Sequence, residues 1–301
     1  MIMPKKLNVE ITCVRDALDA PNALGESPVW SEKEACLYWA DILTCRVHRW
    51  RPADNARKFW QFADTVGSIG LRQGGGLILA LRSGFHLFDT DTGATTFLCH
   101  PEMNIPDNRF NDGKVSPEGR FFAGTMDDRP VKEAVASLYS LEKDHAARRI
   151  NGDLIVSNGL AWSPDGRILY HSDSRAAAVY QYTYDPQTGN VGERKIFVSM
   201  KAEWGRPDGA TVDVDGCYWS CGVSAGRINR FSPDGELLSY IEMPVSHPTM
   251  PCFGGPDMKT MYVTSISAEV PAEIRATTPL AGQLFEIKLD VAGVQVGSYQ
   301  G

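Results

Sequence analysis

Apolar residues along this chain come in short dense runs and not in the 3.6-residue rhythm of an amphipathic helix. CLYWAD (36–41), LILAL (77–81), RFFAGTM (120–126), ILYHSD (168–173), CYWSCGV (217–223) and TMYVTS (260–265) are rich in Val, Ile, Leu, Tyr, Trp and Phe, the side chains that suit a buried pleated strand. Turn chemistry precedes them: Ser116-Pro117-Glu118-Gly119, Ser163-Pro164-Asp165-Gly166, Asp215-Gly216 and the glycines 74–76. Helical stretches are scarce, and Pro130 to Ala136 is expected to make at most one turn.

The runs belong to a repeat. A small or polar entrance leads into an apolar strand, a turn, a second strand and an aromatic-rich third. The entrances fall at Glu26, Gly67, Asn111, Asn158, Asp208 and Pro251, spaced by 41, 44, 47, 50 and 43 residues. That period is the size of a four-stranded propeller blade, roughly 40 to 50 residues. The expected fold is therefore all-β: a six-bladed β-propeller with four antiparallel strands per blade, occupying residues 1–301 as a single domain. The segment LNVEITCVRD (7–16) stands outside the six copies and is expected to add to the last blade, closing the ring and removing an exposed edge.

Composition narrows the partners. A net charge of -7 argues against nucleic acid or an anionic membrane as the main partner. No apolar run approaches the ~20 residues of a membrane span, and the N-terminus lacks a signal-peptide core. Seven scattered cysteines suit free thiols in a reducing cytoplasm better than a disulfide framework. Cys217 and Cys221 have no second pair or histidines beside them, so they do not read as a zinc site. A cytoplasmic monomer or weak homo-oligomer is expected.

In a propeller the first strand of each blade lines the central channel, so its entrances converge on one end of the axis. Glu26, Asn111, Asn158 and Asp208 then bring two carboxylates and two amide oxygens together. These are hard oxygen donors of the kind calcium, magnesium or manganese requires. The opposing reading is that each is an ordinary turn residue, since Asn-Gly and Asp-Gly are common turn pairs. Convergence of four such positions favours the ligand reading. Gly67 and Pro251 supply no donor.

LGESPVW (24–30), NRFNDGKVSPEGRFFAGTM (108–126), SNGLAWSPDGRILYHSDS (157–174) and PDGATVDVDGCYW (207–219) resemble the signature segments of the senescence marker protein, regucalcin and gluconolactonase family. The resemblance implies a six-bladed propeller with one divalent metal in the channel, and hydrolysis of sugar lactones in carbohydrate metabolism. It implies metal ligation by Glu26, Asn158 and Asp208, and substrate contacts from Arg109 and Asn111. Less closely, it places Asp127 and Asp128 against the sugar and a lid over residues 127–136. The family varies in its metal. Calcium is the first expectation, with zinc, manganese, magnesium and iron also in use.

The chemistry expected of such a site is simple. A divalent ion with open positions can polarise a lactone carbonyl and acidify water. Arg109 can orient hydroxyls or hold developing negative charge. Asp208 is read as ligand first and base second, since a carboxylate beside a metal is a weak base. Ser157 is not in a nucleophile elbow. Asp112 and Asn108 are expected to brace the local turn, and His171 to be a structural histidine. Trp204, Gly205, Arg206 and the insertion 267–282 are candidates for a specificity rim. Two alternatives share these residues: a phosphotriester or aryl-ester hydrolase, and a calcium-binding regulatory protein.

Overall fold

Turns of the Ser-Pro-x-Gly type set the shape of the blades. In a computed structural model describing residues 4–14, 17, 20–268 and 270–301, Gly119, Gly166 and Gly235 donate their N–H to Ser116, Ser163 and Ser232 at 3.0, 2.8 and 2.9 Å. All three glycines take positive φ (94°, 68° and 83°), which a side chain would resist. The turns at Ser116 and Ser163 fold an innermost strand back on its neighbour, and the turn at Ser232 joins the two outer strands of its blade.

The strands run in chain order. β1 (Lys5–Lys6) and β2 (Ile11–Cys13) come first. Blade one is β3 (Gly25–Ser31), β4 (Cys36–Asp41), β5 (Arg46–Arg51) and β6 (Ala56–Gln61). Blade two is β7 (Val66–Leu71), β8 (Leu77–Leu81), β9 (Gly84–Phe88) and β10 (Thr95–Cys99). Blade three is β11 (Asn108–Val115), β12 (Phe121–Asp127), β13 (Ala136–Leu141) and β14 (Ala147–Leu154). Blade four is β15 (Ser157–Trp162), β16 (Ile168–Asp173), β17 (Ala178–Thr183) and β18 (Lys195–Ser199). Blade five is β19 (Arg206–Val212), β20 (Tyr218–Val223), β21 (Arg227–Phe231) and β22 (Leu237–Glu242). Blade six is β23 (Pro248–Gly254), β24 (Thr260–Ser265) and β25 (Phe285–Lys288). The first strands β3, β7, β11, β15, β19 and β23 touch one another in sequence around the axis, and β23 meets β3. The result is a six-bladed β-propeller.

Closure follows the expected route. β2 pairs antiparallel with β25 and completes the last blade, Ile11 facing Ile287. Two details differ from the sequence reading. Lys5–Lys6 adds a fifth strand, parallel to β22, so blade five is not purely antiparallel. Residues 130–135 form bends and no helical turn, while the one α-helix among the described residues, α1 (Ala272–Thr277), lies in the last-blade insertion. No helix among them is long and apolar enough to cross a membrane.

Six apolar clusters fill the six spaces between neighbouring blades. Trp39 and Trp50 pack against Tyr262 between blades one and six, and Trp219 against Phe253 between five and six. All seven cysteines are free thiols. The C-terminal residues seal the end of the channel where the Ser-Pro-x-Gly turns lie. Val294 N–H bonds Val212, Tyr299 N–H bonds Leu71, and Gln300 N–H bonds Gly119. The hollow left beneath Val294–Gly297 is only about 20 Å³, room for about one water.

Tyr299 is 1% exposed, packs in the cluster between blades two and three, and donates its hydroxyl to Glu142 O at 2.8 Å. Truncating a buried aromatic costs roughly 3–5 kcal/mol. Tyr299→Ala is therefore expected to lower stability by about that amount in denaturant titration, and a loss under 1 kcal/mol would show that the tail is not part of the packed ring.

Candidate metal and substrate site

Each innermost strand breaks register with its neighbour near its start. The shifts fall between Glu26 and Val29, Val66 and Ser68, Phe110 and Gly113, Asn158 and Ala161, Pro207 and Ala210, and Pro248 and Pro251. A bulge adds a residue on one strand and re-aims the side chains beside it. The entrances are therefore bulges within strands and not turns, which corrects the alternative weighed from sequence. Ser27 sits at φ 50° and its N–H donates to the Glu26 carboxylate at 2.9 Å. Gly159 sits at φ 63°, where a Cβ would lie 2.5 Å from both Ser172 Oγ and Tyr218 Oη. Glycine is thus required beside Asn158.

The bulges bring Glu26, Arg109, Asn111, Asn158 and Asp208 onto one cavity of about 210 Å³ at the open end of the axis. A chain of hydrogen bonds fixes its wall. Arg109 Nη1 donates to Phe110 O (2.9 Å) and Asn111 Oδ1 (3.0 Å). Asn111 Nδ2 donates to Ser157 O (2.9 Å) and Asn158 Oδ1 (3.0 Å). Asn158 Nδ2 donates to Ser174 Oγ (2.7 Å), and Ser174 donates to Pro207 O, next to Asp208. The guanidinium of Arg109 is also held through Nε by Asp128 at 3.2 Å. Its Nη2 has no acceptor among the described residues.

Glu26 and Asp208 are short of positive charge. Burial first, then Asp208 and Asp112, push Glu26 well above the carboxylate range. Burial first, then Asp112, also raises Asp208, while Arg206 and the Gly209 N–H oppose the rise. Two enclosed carboxylates with lone pairs to spare, beside a neutral amide oxygen, fit a hard divalent cation. No group of three or more His, Cys, Asp or Glu side chains that could hold a metal ion stands together among the described residues, and the further side-chain oxygens on the cavity beside the pair include the amide of Asn158.

Other expected residues lie elsewhere. Asp127 is fully buried and clamps its own loop, accepting from Arg129 Nε and Nη2 (2.9 and 2.8 Å) and from the Glu133 N–H (2.6 Å). It closes β12 as Asp41 closes β4 and Asp173 closes β16, and those two accept backbone N–H groups at Ala23 and Leu24 and at Ile155 and Val156. The shared Asp at the ends of LYWAD, FAGTMD and LYHSD was the available signal. Asp128 braces Arg109 and Arg82; burial pushes it up, but the two arginines hold it below its ordinary value. Neither aspartate lines the cavity.

Asp112 accepts the Leu160 N–H of the next blade at 3.0 Å, so it ties blades together instead of bracing its own turn. Asn108 is also a buried strand residue, donating to Glu102 at 2.8 Å. Trp204 packs edge-on against Phe231, leaving Arg206 as the cavity-lining member of that trio. Of the insertion, Ala268 reaches the cavity; Glu269 lies outside the described residues. Sequence reasoning missed Lys132, Ser174, Arg175, His247 and Thr249, which also line it. His247 precedes the sixth entrance much as Arg206 precedes the fifth.

Comparison with known proteins identifies the family. The SMP-30/Gluconolactonase/LRE-like region matches residues 24–267. The chain belongs to the SMP-30/gluconolactonase family. A 6-deoxy-6-sulfogluconolactonase of Pseudomonas putida is 42% identical over 95% of this chain and 97% of its own. A regucalcin of Danio rerio is 37% identical over 98% and 99%. Among solved structures, a calcium-binding protein, regucalcin, of Agrobacterium tumefaciens superposes with a TM-score of 0.93 at 25% identity, covering 99% of both chains. This member of the family thus shares both sequence and ring with its relatives end to end.

His171, the histidine singled out from sequence, is fully buried with Nε2 2.7 Å from Ser157 Oγ. Burial, and then Arg194, pushes it down to about 3. An unfolded histidine takes up a proton near pH 6.5, so stability is expected to fall as pH drops from 6.5 toward 3. NMR of the ring protons should show no titration of His171 above pH ~4; a midpoint near 6.5 would contradict its burial.

Proposed function

We propose that the protein is a hydrolase that opens sugar lactones of the aldonolactone type to aldonic acids, with one divalent ion held by Glu26, Asn158 and Asp208. The observation that carries this reading is the enclosed carboxylate pair beside an amide oxygen and a fixed guanidinium, in a chain 42% identical to a sugar lactonase. Oxygen-only donors suit calcium first, then magnesium or manganese, and zinc or iron less well. Such an ion, when bound, supplies Lewis acidity to a carbonyl oxygen and to water.

The side chains do the rest. Arg109, fixed by three acceptors, keeps Nη2 for the ligand, where it orients ring hydroxyls and holds charge that grows on the carbonyl oxygen as the carbon becomes tetrahedral. Asn111 sets the positions of Arg109 and Asn158. Asp208 is a ligand first, and second the group that accepts a proton from the attacking water. The water oxygen bonds to the carbonyl carbon, the ring C–O bond breaks, and the proton taken up by Asp208 passes to the ring oxygen, which leaves as a hydroxyl. Asp128 acts on this chemistry through Arg109, and Asp127 through the loop carrying Lys132. A second reading, a calcium-binding protein without turnover, is favoured by the regucalcin relatives. The arginine in the cavity favours the enzyme, because a site for calcium alone has no use for a nearby cation.

Three outcomes test the proposal. Glu26→Gln should weaken metal binding sharply in calorimetry; unchanged affinity would remove Glu26 from the ligand set. Chelation should lower the melting temperature, since metal at one hundred times its dissociation constant adds roughly 2.7 kcal/mol. Arg109→Ala should cost ~100- to 1000-fold in lactone turnover. Because Arg109 is only 7% exposed and holds three acceptors, that variant should also melt earlier. Arg109→Lys, which keeps charge without the planar fork, should recover part of both. Wild-type turnover in either variant would put the arginine outside the chemistry.

A further inference from the structure

Above the carboxylates, one side of the cavity wall is cationic. Lys132 comes from the loop between β12 and β13, Arg175 from the turn between β16 and β17, and Arg206 from the start of β19. Three consecutive blades thus each place one positive side chain on the cavity that holds Glu26 and Asp208. No carboxylate is bonded to the side chain of any of the three among the described residues; of Arg175, the Asp173 carboxylate takes only the backbone N–H. Lys132 Nζ donates only to the backbone oxygens of Asp127 (2.6 Å) and Arg129 (3.3 Å). Arg206 makes one long contact, from Nη2 to Ser224 Oγ at 3.3 Å. The acids nearest Lys132 are engaged elsewhere, Asp127 by Arg129 and Asp128 by Arg82 and Arg109. Burial lowers the lysine, and Arg109 and Arg175 repel it, while Asp128 and Asp127 oppose them.

This arc runs against the charge of the whole chain, which is -7. Of the three, only Arg206 bears on the carboxylate pair, opposing the rise at Asp208, and in the reading above a divalent ion balances Glu26 and Asp208. Three cations left together at the mouth of a small polar cavity leave room for an anion. A neutral sugar lactone offers none: its ring carbonyl goes to the site of Arg109 and the metal, and its hydroxyls need no such concentration of charge.

We propose that the arc of Lys132, Arg175 and Arg206 binds an anionic group carried by the substrate outside its lactone ring, so that the substrate class is acid-substituted sugar lactones. The group is a sulfonate or phosphate at the end of the sugar remote from the carbonyl. Arg175 and Arg206 offer planar donor forks to its oxygens and Lys132 a point charge. The inference rests on the lactonase reading for the orientation of the ring.

The test compares glucono-1,5-lactone with its 6-phospho and 6-deoxy-6-sulfo counterparts, at fixed ionic strength, on metal-loaded enzyme. Wild type should prefer a charged lactone by about tenfold or more in kcat/KM, mainly through KM. Arg175→Gln, Lys132→Gln and Arg206→Gln should each cut the charged-to-neutral ratio about tenfold, the usual worth of one charge-assisted hydrogen bond. Arg175→Lys should keep part of the preference. The two charged substrates separate a sulfonate site from a phosphate site. A ratio near one in wild type, or a ratio that none of the variants moves, overturns the proposal. If no lactone is opened at all, the lactonase reading fails, and calorimetry decides the arc separately. Tighter binding of 6-phosphogluconate than of gluconate, lost in the variants, sustains it, and equal binding refutes it.

Discussion

Everything at the open end of this ring depends on six strands losing register at the same depth. A strand in regular register alternates its side chains between faces, and the entrance residues would not all face the axis. The bulges at Glu26, Asn158 and Asp208 remove that constraint locally. They do so at a backbone cost visible in Ser27, a non-glycine residue at φ 50°, for which the left-handed region costs about 1–2 kcal/mol. The packed clusters between blades and the sealed far end of the channel hold that strain in place.

Convergence has an electrostatic consequence. Burial raises the proton affinity of both Glu26 and Asp208; Asp208 and Asp112 raise Glu26 further, and Asp112 raises Asp208 further. The protein's own answer lies deeper in the channel. Lys114 is buried, pulled down by that burial and held up by Asp112, and its ammonium donates to Ala210 O. One lysine beside Asp112 does not balance the pair above it. Arg109 is drawn toward Asp128, and Arg206 stays at the rim. A divalent cation is the simplest group to complete this arrangement.

The ring was legible in the sequence because its period is written in turns and apolar runs, and each copy carries its own entrance. So was the grouping of Glu26, Arg109, Asn111, Asn158 and Asp208, because a propeller turns equal positions in a repeat into neighbours in space. What escaped was anything decided between blades. Asp112 reads as a turn residue within its own segment, yet it accepts an amide from blade four. Asp127 reads as a sugar contact beside an imagined lid, yet the repeat itself shows Asp41 and Asp173 in the same structural place. Lys132, Arg175 and His247 lie in loops of three different blades, with no common spacing to mark them. Lys5–Lys6 joins blade five through two parallel residue pairs, too short a pattern to announce itself.

The central claim is that the bulged entrances of blades one, four and five together hold a single divalent ion. Crystals of the wild-type protein grown with manganese, measured at a wavelength where manganese scatters anomalously, test it most directly. The account predicts one strong anomalous peak enclosed by the side-chain oxygens of Glu26, Asn158 and Asp208. A saturated crystal with its peak elsewhere, or with none in the channel, would contradict it.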